Sequence, residues 1–154
     1  MYLTQHTDYG FRVLLYAAAN REKLVNIAVI AEHYGISKSH LMKVVTSLVK
    51  GGFLEGVRGK GGGLRLAREP ELINVGAVVR YLEPMKLVEC MGAGNGCMIA
   101  ANCRLAGILG GAGKAFLHHL DGFTLADLLN RPTLETLHFA EMPAQEADTG
   151  SEAV

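Results

Sequence analysis

The part of the sequence that most restricts the fold is residues 26–50, where two short amphipathic helices are predicted on either side of a tight turn. Ala31 is small where the helices would cross, Gly35 lies in the turn, and Ile36 would enter the core. Ser37 is a good N-cap for the second helix. The pattern predicts a helix-turn-helix, although an ordinary helical hairpin with a solvated face would show the same spacing.

A glycine-rich basic hairpin is predicted directly after the second helix. Residues 53–58 and 64–67 are short strand-like runs on either side of a turn that contains four glycines. One acidic residue, Glu55, opposes the four cations of this hairpin, which are Arg58, Lys60, Arg65 and Arg68. A basic tip in this position can reach phosphates or the minor groove, so the sequence favours a winged-helix DNA-binding fold over a plain helical hairpin.

Two sets of side chains are the candidates for contact with DNA. In a helix-turn-helix the start of the second helix reaches base edges in the major groove, and its N-terminus receives phosphates. The candidates on that helix are the outward-facing residues Ser37, Lys38, Ser39, His40 and Lys43. The candidates on the wing, which we expect at the DNA backbone or a narrow minor groove, are Arg58, Lys60 and Arg65.

The distribution of charge supports a nucleic-acid partner, even though the net charge is zero at pH 7. Residues 1–80 carry 11 Lys and Arg against 6 Asp and Glu, whereas residues 81–154 carry 4 against 9. The N-terminus lacks the pattern of a signal peptide, and no apolar run reaches the roughly 18 residues of a membrane span. We therefore expect a cytoplasmic protein without a membrane partner.

Three cysteines, Cys90, Cys97 and Cys103, lie within one glycine-rich stretch with the spacing C-x6-C-x5-C. An odd number of cysteines would leave one thiol unpaired if they served structural disulfides. Thiolates select zinc, copper(I) or iron–sulfur clusters, although small buried cysteines also serve simply as packing residues. A ligand site of this kind joined to a DNA-binding domain predicts a sensor.

The remainder of the chain is predicted to be helical up to an acidic tail. A short helix over residues 75–82 would end before Pro84, and an apolar stripe with several glycines predicts a helix over about residues 102–119. Those glycines disfavour a helix, but their small size would let a partner helix approach closely. A short capped turn is predicted over residues 124–129, and residues 140–154 are expected to be disordered.

These motifs together resemble the bacterial winged-helix iron–sulfur transcription regulators over about residues 1–130. The resemblance is carried, in order, by TDYGFR, the helix-turn-helix, VRGKGGGLRL, LEP, the three cysteines and TLADLL. Within that family the nitric-oxide-sensing repressors are the more similar branch, through TDYG, VRGKGGG, VVRYLEPMKLVEC and TLADLL. The branch that reports iron–sulfur status carries a histidine three residues after its third cysteine, and Ala106 stands there.

The resemblance implies a mainly α fold with a small β wing: a winged helix-turn-helix domain over residues 1–82, a cluster-binding loop over 83–104, and a dimerisation helix with a closing turn over 102–130. It implies a homodimer that represses genes by binding a palindromic operator, with half-sites about 34 Å apart. It also implies one iron–sulfur cluster per subunit, [4Fe–4S] or [2Fe–2S], bound by Cys90, Cys97 and Cys103. Nitric oxide would attack the cluster iron and relieve repression.

A fourth cluster ligand is also implied by the resemblance, which places a ligating aspartate of the opposite subunit at Asp8 in the TDYG motif. Arg12 follows one helical turn later and is expected to orient the Asp8 carboxylate. The alternative for Asp8 is that it caps or pairs on the surface of the first helix.

Other classes of function fit the sequence less well. A thiol-based redox regulator of the same fold would use the three cysteines without a cluster, and an electron-transfer iron–sulfur protein would leave the basic wing without a role. His118 and His119 have no nucleophile or carboxylate constellation near them in the sequence. The protein is therefore not expected to be an enzyme.

Overall fold

The computed structural model describes residues 3–88, 96–99 and 102–139, so Cys90 and the acidic tail lie outside the described residues. The described part contains six α-helices and one two-stranded sheet. The helices are α1 (Gln5–Ala19), α2 (Ile27–Tyr34), α3 (Lys38–Lys50), α4 (Val75–Leu82), α5 (Arg104–Leu120) and α6 (Arg131–Phe139). The strands are β1 (Leu54–Val57) and β2 (Gly63–Leu66). The predicted fold class, mainly α with a small β wing, is confirmed.

The helix-turn-helix consists of α2 and α3, and local chemistry sets both ends of its turn. Gly35 ends α2 in the left-handed conformation, at φ 63°, which glycine adopts without strain. Ser37 then begins α3, because its side chain accepts a hydrogen bond from the backbone N–H of His40. The predicted turn and N-cap therefore lie where the sequence placed them.

The hydrophobic core forms where α1, α2, α3 and α4 meet, with the base of the wing. The side chains that are completely buried there include Val13, Leu14, Ile30, Leu41, Val44, Leu48 and Val78. Each lies on the apolar stripe of its helix, so the 3.6-residue periodicity of the sequence becomes one contiguous core. The core holds α3 firmly and leaves its opposite face to solvent.

The wing is an antiparallel hairpin in which Leu54 pairs with Leu66 and Val57 with Gly63. Its base is fixed to the linker before α2, because Leu64 and Val25 exchange two backbone hydrogen bonds of 2.9 Å. Leu54 and Leu64 are buried, whereas the turn between the strands is mostly exposed. The tip of the wing therefore projects from a base that belongs to the core.

The C-terminal half adds two helices of different character. None of the residues of α5 is buried. By contrast, α6, which the sequence did not predict, places Leu137 in the core. The predicted turn at 124–129 is a short 3-10 helix, Ala126–Leu128. In the part of the chain that the structure describes, no helix is long and apolar enough to cross a membrane.

Candidate DNA interface and metal centre

The N-terminal turn of α3 presents polar side chains to solvent. Ser37, Lys38, Ser39 and Lys43 are exposed, because the core side chains of α3 point the opposite way. Two lysines and the N-terminus of a helix together suit the binding of phosphates and base edges. Their contact with DNA stays a prediction.

His40 differs from the other candidates on α3, because it is half-buried against α1. Its ring lies edge-on to the ring of Tyr9, with 5.2 Å between the ring centroids. One turn before, the His6 Nε2 atom lies 3.1 Å from the Ser47 Oγ atom on the same helix α3. The first turns of α1 therefore contact the candidate recognition helix at two points, which the sequence did not reveal.

The cations of the wing fall into two groups. Two have a partner within the wing, and two are exposed at its tip. Arg65 lies opposite Glu55 in the strand register, and its Nε–H donates to the Glu55 carboxylate at 2.8 Å. The Arg68 guanidinium lies over the ring of Phe53, 5.7 Å from its centroid. Arg58 and Lys60 are exposed at the tip. The positive charge at the tip of the wing therefore belongs to Arg58 and Lys60. Arg65 would have to leave the Glu55 carboxylate before it could bind a phosphate.

Asp8 and Arg12 form the ion pair that their spacing predicted. Arg12 Nη2 donates to Asp8 Oδ2 at 2.7 Å, and the side chains are 49 % and 41 % exposed for Asp8 and Arg12. The Arg12 guanidinium is also 5.6 Å from the ring centroids of Tyr9 and Tyr34, so its position is set by three neighbours. The carboxylate of Asp8 is thus oriented and accessible, which suits both a surface pair and a metal ligand.

Two of the three cysteines, Cys97 and Cys103, are among the described residues, and only Cys103 lies at the start of α5. Cys97 is exposed, and Cys103 is half-buried as the N-cap residue of that helix. Within residues 3–88, 96–99 and 102–139 no group of three His, Cys, Asp or Glu side chains could hold a metal ion. The donor chemistry nevertheless fits an iron–sulfur cluster, because all three cysteines belong to the segment that joins α4 to α5 and a helix N-terminus favours anionic ligands.

Two polar joints of α4, one at its C-cap and one within the helix, were missed by sequence reasoning. At the C-terminal end, Glu83 accepts hydrogen bonds from Thr4 and Thr7 of the TDYG region. On the body of the helix, Arg80 donates to both carboxylate oxygens of Asp121, at 2.5 and 2.6 Å. The motif LEP contained Glu83, but nothing in the sequence indicated its partners 76 to 79 residues away.

Comparison with known proteins gives one family and several related regulators. The chain matches the Rrf2 family (iron-dependent transcriptional regulator) over residues 3–131. It is 48 % identical over 132 residues to the HTH-type transcriptional regulator NsrR of Bacillus licheniformis, covering 84 % of this chain and 92 % of that protein.

Solved structures of related regulators have the same fold. The structure of T. potens IscR superposes with a TM-score of 0.64 at 28 % identity and covers 93 % of each chain. CymR, the global cysteine regulator of B. subtilis, superposes with a TM-score of 0.62 at 26 % identity, covering 83 % of this chain and 95 % of that one.

Proposed function

Because the chain belongs to the Rrf2 family and is therefore a winged-helix transcriptional regulator, we propose that it is a nitric-oxide-sensing repressor. In this proposal a cytoplasmic homodimer binds palindromic operator DNA through α3 and the wing. Each subunit binds one iron–sulfur cluster through Cys90, Cys97 and Cys103, and Asp8 of the opposite subunit supplies the fourth ligand. The similarity to NsrR supports the choice of signal.

The observation that carries the proposal is the position of the cysteine segment between the DNA-binding half and a solvent-exposed helix. Residues 83–104 begin at the end of α4, which packs in the winged-helix core, and end at the first residue of α5. A ligand that orders this segment would therefore fix the direction in which α5 leaves the DNA-binding half. A sensor requires such a link between its ligand and its DNA-reading surface.

The proposed homodimer uses α5, whose apolar face is exposed within the subunit. Leu105 and Ile108 are largely exposed, and a Cβ atom built on Gly107, Gly110 or Gly111 would meet no described atom within 4 Å. No neighbour among the described residues explains the small size of these glycines, but it would let a second helix approach closely. Two α5 helices packed together would set the separation of the two α3 helices, which we propose to match half-sites about 34 Å apart.

The proposed response to nitric oxide depends on the cluster, which would constrain residues 83–104 through its ligands. When bound, the cluster supplies iron atoms that react with nitric oxide. Cys90, Cys97, Cys103 and the Asp8 carboxylate would be fixed to a common point while they hold the cluster. Without the cluster, residues 83–104 would no longer be constrained at that point. A 100-fold change in DNA affinity needs only about 2.7 kcal/mol of difference between the two arrangements.

Asp8 would be the weakest of the four ligands, because an oxygen ligand is a hard donor on soft iron. The ion pair with Arg12 holds the Asp8 carboxylate at the surface of α1, where a partner subunit can reach it. Asp8→Ala is expected to shift the absorption spectrum of the cluster and to uncouple nitric oxide from DNA release. Wild-type spectrum and response in this variant would remove Asp8 from the site.

Native mass spectrometry of the protein reconstituted anaerobically with iron and sulfide tests the proposal. The expected species is a dimer with one cluster per subunit, whose mass also distinguishes [2Fe–2S] from [4Fe–4S]. Alanine at Cys90, Cys97 or Cys103 should abolish the stable chromophore while circular dichroism shows an unchanged fold. A colourless dimer whose cysteines form disulfides or bind zinc would instead support a thiol-redox regulator.

A further inference from the structure

Glu83 lies at the junction between the winged helix and the cysteine segment. It is the C-cap residue of α4, Pro84 follows it, and Cys90 comes seven residues later. Neither DNA contact nor cluster ligation gives this residue a role in the function proposed above. Its hydrogen bonds, however, join it to the start of α1, which carries the proposed ligand Asp8.

One carboxylate oxygen of Glu83 receives three hydrogen bonds from the start of α1. Thr4, the N-cap residue of α1, donates both its backbone N–H and its hydroxyl group at 3.0 Å. The hydroxyl group of Thr7, which is completely buried, donates at 2.5 Å. Hydrogen bonds to an ionised acceptor are about twice as strong as those between neutral groups. Glu83 therefore fastens the end of α4 to the beginning of α1.

Apolar packing strengthens the same joint. Leu82 is buried, and a Cβ atom on Gly10 would lie 2.5 Å from its Cδ1 atom, so the Leu82 side chain of α4 packs directly against α1 at Gly10. The two motifs TDYG and LEP thus meet through Thr7 with Glu83 and through Gly10 with Leu82. Segments more than seventy residues apart in the chain form a single joint.

Asp8 is one hydrogen bond away from this joint. Its backbone N–H donates to the carbonyl oxygen of Thr4 at 3.0 Å, and Thr7 precedes it in the chain. Thr4 is therefore held by Glu83 on one side and holds the backbone of Asp8 on the other. Any displacement of Glu83 relative to α1 would move the backbone that carries the Asp8 carboxylate.

The ionisation of Glu83 agrees with this geometry. Partial burial raises the pKa of its carboxyl group, but the hydrogen bonds from Thr7 and Thr4, together with the charge of nearby His6, outweigh burial and hold the pKa below its usual range. The group is consequently a carboxylate at neutral pH. An ionised carboxylate only accepts hydrogen bonds, so Glu83 has no O–H group that would compete with the three donors.

We propose that Glu83 is a positioning residue that joins the cysteine segment of each subunit to Asp8 of the same subunit. This inference rests on the proposed function, in which Asp8 ligates the cluster of the partner. Glu83 then connects the two cluster sites of the dimer. It begins the cysteine segment that binds the cluster of its own subunit, and it also holds Asp8, which ligates the cluster of the partner. This positioning of Asp8 needs residues of both motifs, Thr7 of TDYG and Glu83 of LEP.

Substitutions at both ends of the joint test its role. Glu83→Ala and Thr7→Val are each expected to shorten the lifetime of the cluster against an iron chelator by roughly tenfold or more. The double variant should be no worse than the single ones, because both remove the same joint. Glu83→Gln, which keeps one acceptor oxygen, should recover part of the lifetime, and Glu71→Gln, an exposed glutamate, serves as the control.

Mixed dimers separate positioning of Asp8 from a general effect on the fold. One subunit carries Cys90→Ala, so that only the partner's cysteines hold a cluster, and Glu83→Ala is then placed in either subunit. Placed in the Cys90→Ala subunit, whose Asp8 serves the remaining cluster, it should still shorten the cluster lifetime and shift the absorption spectrum. No effect in that arrangement would overturn the inference.

The inference and the proposed function fail in different ways. A wild-type protein that binds no cluster after reconstitution contradicts the proposed function and, with it, this inference. If the wild-type protein binds a cluster, and the cluster lifetimes in Glu83→Ala and in Thr7→Val both equal the wild-type lifetime, the inference alone is overturned. If Glu83→Ala does not fold by circular dichroism, the Glu83→Gln and Thr7→Val variants decide in the same way.

Discussion

Helices α3 and α5 carry similar apolar stripes but differ in what covers them. Leu41 and Leu48 of α3 are 0 % exposed, because α1 and α2 pack against that face. Leu105 and Ile108 of α5 are 58 % and 67 % exposed. The apolar face of α3 is therefore covered within the subunit, whereas α5 presents an apolar face that the described part of the subunit leaves in solvent. The same periodicity in sequence can thus indicate a core or an interface.

The largest effect that this comparison predicts is at Leu48. Leu48→Ala should lower the free energy of unfolding by about 2–5 kcal/mol, because a completely buried side chain leaves a cavity in a core that cannot collapse around it. Urea unfolding of the apo-protein measures this at a concentration low enough to keep it monomeric, because dimer dissociation would otherwise add to the free energy of unfolding. The matched change Ile108→Ala should alter the stability of the subunit by less than about 0.5 kcal/mol. Equal destabilisation in the two variants would mean that the apolar faces of α3 and α5 do not differ in burial within the subunit.

The next effect concerns the proposed dimer. Ile108→Asp should raise the dimer dissociation constant by roughly 30-fold or more, because it places a charge in the centre of an apolar helix contact. Sedimentation equilibrium of the apo-protein gives the constant directly. Lys114→Ala, about 120° around the same helix, is the control and should leave it nearly unchanged. A monomeric wild-type protein, or no response to Ile108→Asp, would contradict an α5 interface.

A smaller effect is expected at the tip of the wing. Arg58→Ala and Lys60→Ala should each weaken binding to all DNA sequences and lower the slope of log affinity against log salt by about 0.9 for each phosphate that is no longer neutralised. Fluorescence anisotropy at several salt concentrations gives the slope. Arg65→Ala should change it less, because Glu55 already pairs with Arg65 in the free protein. An unchanged slope in the first two variants would place the wing away from DNA.

The smallest effect is expected at the joint between α4 and α5. The hydrogen bonds from Arg80 lower the pKa of Asp121; slight desolvation opposes them, and the charges of Arg80 and His118 add to them. A lowered pKa stabilises the fold above the usual aspartate pKa of about 3.9, and this contribution disappears as the pH falls through the folded value. The melting temperature of Asp121→Asn should therefore lie slightly below wild type at pH 7 and converge with it in acid. A constant difference at all pH values would mean that the ion pair does not contribute.

The sequence predicted the elements whose determinants are local. Gly35 and Ser37 set the turn and the start of α3 through their own conformation and hydrogen bonding, and the glycines between β1 and β2 allowed the hairpin. Helix α6 was not predicted, because a nine-residue helix is stabilised mainly by packing, here of Leu137 in the core. Its start did carry a local signal that sequence reasoning missed, because the Asn130 Oδ1 atom accepts from the backbone N–H of Thr133 as an N-cap.

The sequence predicted which residue types form the candidate site, but not the long-range contacts that position them. The types and spacing of the cysteines, and of Asp8 with Arg12, indicated donors and an ion pair, and the pair is present at 2.7 Å. The joint of Glu83 with Thr4 and Thr7 spans most of the chain and depends on how α1 and α4 pack, which no local pattern encodes. The contact of His40 with Tyr9 has the same origin.

An anaerobic titration of the cluster-loaded dimer with nitric oxide tests the central claim most directly. The protein is bound to fluorescently labelled operator DNA obtained by binding-site selection, and anisotropy and cluster absorption are recorded together. We predict that DNA affinity falls by roughly 100-fold as the absorption changes. A cluster that reacts with nitric oxide while the DNA affinity stays constant would contradict a nitric-oxide-sensing repressor.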